Sequence, residues 1–137
     1  KKSILMVSLA ALIPLFIISA SYFVANRFFI PQKAVDVKSL PLISLPEDIK
    51  QINNYIDKHV RIKGTIYDTH RHAKSNTVFL NFVGFKCMIF KNSLRNFIRQ
   101  PEKYYKFKKV EVWGKIKTYK GEPEIILNYQ NQIKIIE

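Results

Sequence analysis

Three aromatic side chains, Tyr67, Phe79 and Trp113, sit among cations in stretches where apolar and polar residues alternate. Alternation at period two is the mark of a strand with one face on a core. If Val60, Ile62 and Ile66 face inward, then Arg61, Lys63, Thr65 and Tyr67 face out. Inward Val110, Val112 and Ile116 leave Glu111, Trp113, Lys115 and Lys117 outside, and inward Val78, Leu80 and Phe82 expose Phe79 and Asn81. Outward rings can stack on flat partners, and outward lysines and arginines can neutralise phosphate or carboxylate. The expected binding face is therefore Arg61, Lys63, Tyr67, Arg71, Phe79, Asn81, Trp113, Lys115 and Lys117.

No comparable pattern points to catalysis. None of the serines lies in a Gly-x-Ser-x-Gly elbow, and the 4 glycines form no phosphate-cradling loop. Glu122 and Glu124 flank Pro123, where a hairpin explains them. His70 and His72 stand at alternate positions and could share an ion, but no third ligand is near them in sequence. They belong to the polar stretch 68–76 and read as exposed loop histidines. No enzymatic activity, metal or cofactor is expected. The single cysteine, Cys87, allows no internal disulfide and reads as a buried thiol in an apolar strand.

These side chains need strands to carry them. The order is Val60–Tyr67, Thr77–Val83 and Phe85–Lys91, a helical interval Asn92–Tyr105, then Lys108–Tyr119 and Glu124–Ile136. Two segments echo each other: Val60-Arg61-Ile62-Lys63-Gly64-Thr65-Ile66 and Val110-Glu111-Val112-Trp113-Gly114-Lys115-Ile116. A glycine inside a strand marks a bulge or a tight barrel bend, so both strands are expected to bend alike. Ahead of them, Pro46-Glu47-Asp48 opens a short helix, with Ile49, Ile52 and Ile56 at helical spacing. Residues 31–45 read as an extended linker, and residues 46–137 as the domain with its leading helix.

The segments Thr77-Val78-Phe79-Leu80-Asn81-Phe82, Met88-Ile89-Phe90 and Tyr119-Lys120-Gly121-Glu122-Pro123-Glu124-Ile125-Ile126-Leu127, followed by Gln132-Ile133, resemble a nucleic-acid-binding OB-fold family. That family occurs in bacterial proteins, often beside secreted nuclease domains. The resemblance covers about residues 60–136. It implies a five-stranded Greek-key barrel with a helix between strands three and four, and single-stranded nucleic acid as a partner. The chain departs from it at Val83-Gly84, a connection shorter than the family's usual loop, which lowers one wall of the cleft.

The chain of 137 residues carries 23 Lys and Arg against 10 Asp and Glu, a net charge of +13. Lys1, Lys2 and Arg27 are the only charges before Phe28, so most of the surplus belongs to the barrel and favours anionic neighbours. From Ile4 to Ala25 there is no charge. About 20 apolar residues at 1.5 Å each span a hydrocarbon core of roughly 30 Å. Residues 1–30 therefore read as a retained transmembrane signal-anchor, with Pro14, Ser19, Ala20 and Ser21 able to pack against a neighbouring helix. The position expected is a single pass through a bacterial inner membrane with the barrel outside the cytoplasm. Position 1 is lysine, so the expectation is either a natural start upstream or a processed chain.

Two functions follow from different classes. The first is a non-catalytic accessory or assembly subunit of a membrane protein complex, its barrel bracing a partner. The alternative is a membrane-tethered binder of single-stranded nucleic acid. Anionic lipid is a further partner that the positive charge would suit.

Overall fold

The computed structural model describes residues 34–137. The expected anchor, with Pro14, Ser19, Ala20 and Ser21, lies outside the described residues. Among the described residues no helix is long and apolar enough to cross a membrane. The strands are β1 (Leu42–Ser44), β2 (His59–Thr65), β3 (Asp68–Arg71), β4 (Val78–Phe82), β5 (Phe85–Ile89), β6 (Lys109–Tyr119), β7 (Glu122–Ile126) and β8 (Ile133–Ile135), with a one-turn helix α1 (Pro101–Tyr104).

Strand pairing gives the order β1-β2-β6-β7-β5-β4-β3, with β8 added beside β6. Only Ile66 and Tyr67 separate β2 from β3, so the two are halves of one bent strand and the sheet closes on itself. Counted that way there are five barrel strands. The β5–β7 pair is parallel, and the other pairs between barrel strands are antiparallel. With the helical connector between the third and fourth strands, this is the strand order of the OB-fold.

Alternation dictates the interior. Val60, Ile62, Val78, Leu80, Val110, Val112 and Ile116 are all 0% exposed, each at the parity its strand pattern requires. Fully burying such a side chain stabilises by about 1.5–3 kcal/mol. Cys87 is in the same core, where burial pushes its thiol pKa up. The buried apolar residues lie between Ile43 and Ile133, and all strand pairings lie between Leu42 and Ile135. A 34–137 fragment therefore carries its own core and its own ladder.

Several expected elements take a different form. The segment read as a linker holds a 3₁₀ turn, Val37–Ser39, capped by the Asp36 carboxylate, and then β1, which pairs parallel with β2. The leading helix is a 3₁₀ helix, Ile49–Tyr55. Ile49, Ile52 and Tyr55 recur at intervals of three and all pack on the core, which suits three residues per turn. The expected helix Asn92–Tyr105 breaks in two: a 3₁₀ stretch at Lys91–Asn96, then α1. Pro101 supplies no N–H and disfavours the helical region for the residue before it. Gln100 lies outside the right-handed helical region, with φ 54 in the left-handed one.

Residues Asp68–Arg71, expected in a loop, form β3 and pair with β4. The last expected strand, Glu124–Ile136, splits into β7 and β8 around a 3₁₀ turn at Gln130–Gln132. The hairpin turn before β7 is Lys120-Gly121, both with positive φ (51 and 79), the pattern that matches strand twist in a two-residue connection. The short Val83-Gly84 connection is a tight turn as read, with Gly84 at φ 74.

Two consequences can be measured. A Cβ on Gly114 would lie 2.7 Å from Ile125 Cγ2, whereas one on Gly64 would meet Leu45 and Phe82 carbons at 3.1 Å. Gly114→Ala should therefore cost about 1–3 kcal/mol, as overpacking a filled interior does, and Gly64→Ala less. Urea denaturation of the 34–137 fragment checks this, and an unchanged midpoint for Gly114→Ala would mean that β6 and β7 are not in contact there. Arg71 donates to both Glu102 oxygens at 2.9 Å, fastening α1 to β3. That hydrogen bond holds the Glu102 carboxyl below the usual carboxylate range. A depressed carboxylate stabilises the fold above its unfolded pKa and loses the contribution as pH falls through its folded pKa. Arg71→Ala should thus destabilise by about 1 kcal/mol at neutral pH. The gap to wild type should close on acidification through the carboxylate range, and a gap independent of pH would refute the assignment.

Candidate nucleic-acid interface

Register decides which outward side chains become neighbours. His70 lies opposite Phe79, Phe79 opposite Met88, and Met88 opposite Ile126. This row crosses four strands and leads into an open groove of about 460 Å³ lined by Phe90, Ile126, Lys115, Lys117, His59 and Trp113. The His70 and Phe79 rings stack at 6.2 Å with 20° between planes, and Lys86 Nζ lies 5.9 Å from the Phe79 centroid. A second row runs beside it: Asp68, Asn81, Lys86, Glu124 and Lys117, each opposite the next. Together the rows form an apolar and aromatic band edged by lysines.

Trp113 is fixed by a feature of β6. Residues 110–112 pair with β8 and residues 116–119 pair with β7. Trp113, Gly114 and Lys115 span the gap between those partners, and the turn around Gln130–Gln132 fills it. Gln132, 8% exposed, is the hub there. Its Oε1 accepts from the amides of Asn128 and Tyr129 at 2.7 and 3.0 Å, and its Nε2 donates to the Trp113 carbonyl at 3.2 Å. The indole Nε1 donates to the Asn131 carbonyl at 3.0 Å. Both the backbone and the ring of Trp113 are thus held, while its face lines the groove.

The nine residues expected on one face fall into separate groups. Phe79, Asn81, Trp113, Lys115 and Lys117 belong to the band. Arg61 lies opposite Trp113, but its guanidinium donates to the Leu40 carbonyl at 3.2 Å and approaches Glu111 at 3.7 Å. Lys63 is opposite Glu111, two pairs further along β2 and away from Trp113. Tyr67, 53% exposed, lines a second recess, with Glu122, that adjoins the band at Asn81 and Lys86. Arg71 is opposite the buried Val78, at inward parity, and is committed to Glu102. The position of Arg71 has a simple cause. Asp68–Arg71 continues the first barrel strand instead of looping, so parity sends Thr69 and Arg71 toward α1, where Thr69 Oγ1 donates to the Glu102 carbonyl at 2.6 Å.

The band also recruits residues that sequence patterning passes over. Met88, Phe90 and Ile126 sit in unbroken apolar runs, Cys87–Phe90 and Ile125–Leu127, where period two has no contrast to read. Lys86 was legible, lying between inward Phe85 and Cys87. His70 and His72 have ring centroids 6.4 Å apart. His72 Nδ1 accepts from the Ser75 amide at 3.3 Å, and among the described residues no three ligands gather around a metal position.

Charge on the band is mixed. Lys86 lies 3.7 Å from Glu122 and 3.9 Å from Glu124, and Lys117 lies 3.3 Å from Asp57. Lys115 makes no ion pair among the described residues. Glu124 is 5% exposed and its Oε2 has no hydrogen-bond partner. Burial raises the Glu124 pKa, Lys86 opposes that, and Glu122 adds to it. Lys86 is therefore partly neutralised, which leaves the rings and Lys115 as the features best placed to meet a ligand.

No protein-family model matches the chain, and no curated protein matches it. Among solved structures, the chain is similar to an aspartyl tRNA synthetase from Entamoeba histolytica, at 14% identity and TM-score 0.49, covering 79% of this chain and 24% of that one. It is also similar to an asparaginyl-tRNA synthetase from Pyrococcus horikoshii, at 16% identity and TM-score 0.44, covering 69% of this chain and 23% of that one. The chain thus spans about a quarter of the length of the structures it matches, and its fold is given by its own strand pairing.

Proposed function

We propose that the barrel binds single-stranded nucleic acid along the band from Phe79 to Trp113. The observation that carries this reading is the arrangement of Phe79, Phe90 and Trp113 along one band, with Lys86, Lys115 and Lys117 beside them. Base stacking on such rings contributes about 1–3 kcal/mol per base and tolerates any sequence, while lysines follow the phosphates. The short Val83-Gly84 and Lys120-Gly121 connections leave the band shallow, so a strand would lie across it and contact few nucleotides. No chemistry on the strand is part of this proposal.

The other reading, an accessory subunit of a membrane complex, keeps one support: the uncharged run Ile4–Ala25. The two readings are compatible in one chain if the barrel is tethered. They differ in what Trp113 meets.

The test uses the 34–137 fragment and a short single-stranded oligonucleotide, followed by Trp113 fluorescence and by anisotropy. Binding near physiological salt is expected to weaken about fivefold or more in Trp113→Ala, equivalent to about 1 kcal/mol. Trp113→Phe, which keeps a ring, should lose less. Replacing Lys115 and Lys117 by Gln should flatten the salt dependence by about 1–2 units of slope. Binding that vanishes near physiological salt and ignores Trp113→Ala would be counterion release on a basic surface, and would overturn the proposal.

A further inference from the structure

The connector between β5 and β6 carries Lys91, Arg95, Arg99, Lys103, Lys106 and Lys108 against one carboxylate, Glu102, which Arg71 already holds. At its end Phe107 is 70% exposed, more than any other large apolar side chain among the described residues. It lines none of the grooves described above. Its backbone is nevertheless fixed. The Phe107 amide donates to the Ile66 carbonyl at 2.8 Å, the Ile66 amide to the Lys108 carbonyl at 3.0 Å, and the Lys108 amide to the Tyr105 carbonyl at 3.1 Å. Phe107 itself has φ 65, a left-handed conformation in which glycine is at ease and a bulky residue is strained. Lys106 Nζ lies 5.2 Å from the ring centroid.

We infer that this turn docks the barrel on an anionic lipid surface. An exposed ring on a fixed backbone, with Lys106 beside it and exposed Lys103 and Lys108 close by in the chain, lines no slot for a base or a peptide side chain. It does suit a soft interface, where the ring enters the headgroup boundary and the ammonium groups remain with the phosphates. The charge is complementary, since Glu102 is neutralised by Arg71 and no other carboxylate belongs to the connector. The uncharged run Ile4–Ala25 ahead of the barrel is long enough to cross a bilayer, which would bring the domain to such a surface. The inference stands apart from the nucleic-acid reading, because none of the band residues takes part in it.

The experiment is co-sedimentation of the 34–137 fragment with phosphatidylcholine vesicles, with and without phosphatidylglycerol. Binding is expected only to the vesicles containing phosphatidylglycerol. Phe107→Gly should lower that binding about fivefold or more while leaving the melting temperature equal or higher, because glycine accepts the left-handed conformation. Phe107→Trp should bind at least as well as wild type. Gln at 103, 106 and 108 should abolish the preference for anionic vesicles, and Trp113→Ala should leave vesicle binding unchanged. Equal vesicle binding by wild type and Phe107→Gly would overturn the inference. So would a Phe107→Gly variant that binds vesicles normally and oligonucleotide weakly, which would make the knob a nucleic-acid contact instead.

Discussion

The barrel depends on one strand belonging to two sheets. β6 pairs with β2 along its first half and with β7 along its second, and Gly114 lies where the second partner changes. A strand in that position must turn sharply while its inward side chains stay in the core. The missing Cβ at Gly114 permits the turn, because Ile125 occupies the space a side chain would need. The placement of Trp113 on the band follows from this gap. Once β6 leaves β8 and has not yet met β7, its backbone groups need partners, and Gln132 supplies one by donating to the Trp113 carbonyl. A buried carboxamide that satisfies three backbone groups is a demanding arrangement, since each group left unpaired would cost about 1–3 kcal/mol. It also places the one tryptophan of the chain at the edge of an open groove.

What could be read from the sequence was parity. Alternation in 60–66, 78–82 and 110–116 placed inward and outward residues as the structure has them. The order of the strands could be read as well, because a helical interval between the third and fourth is a coarse signal. Adjacency could not be read. Arg61 and Trp113 are outward and opposite each other, yet the arginine is committed to Leu40 and Glu111, and a sequence does not show which carbonyl or carboxylate will be within reach. Continuous apolar runs hid Met88, Phe90 and Ile126 for the opposite reason: with every residue apolar, parity leaves no trace. The connector misled through one dipeptide. Arg99 and the residues before it have ordinary helix formers among them, but Gln100-Pro101 breaks the run, and the positive φ at Gln100 redirects the chain.

Charge and aromatic character are distributed differently over this molecule. The aromatic band contains carboxylates that neutralise part of its lysines, whereas the β5–β6 connector is almost purely cationic. A surface selected only to attract polyanions would not place Glu122, Glu124 and Asp57 beside Lys86 and Lys117. Mixed charge around exposed rings lowers the long-range attraction and gives the short-range contact more weight. That is the balance expected where stacking, which survives salt, does most of the holding.

The connector follows the reverse logic. Its one carboxylate, Glu102, is taken by Arg71 of β3, and that pair is directed inward, tying α1 to β3 instead of dressing the surface. The same pair keeps the connector seated on the barrel, next to the turn that presents Phe107. A phenylalanine at positive φ and 70% exposure contributes little to the core and holds a conformation in which glycine would be more stable. Local strain of about 1–3 kcal/mol persists only when surrounding structure enforces it, and here the backbone hydrogen bonds from Phe107 to Ile66, from Ile66 to Lys108 and from Lys108 to Tyr105 do so. The barrel thus spends part of its ladder, at the bend between β2 and β3, on keeping one ring out in solvent, and stability alone gives no reason for that.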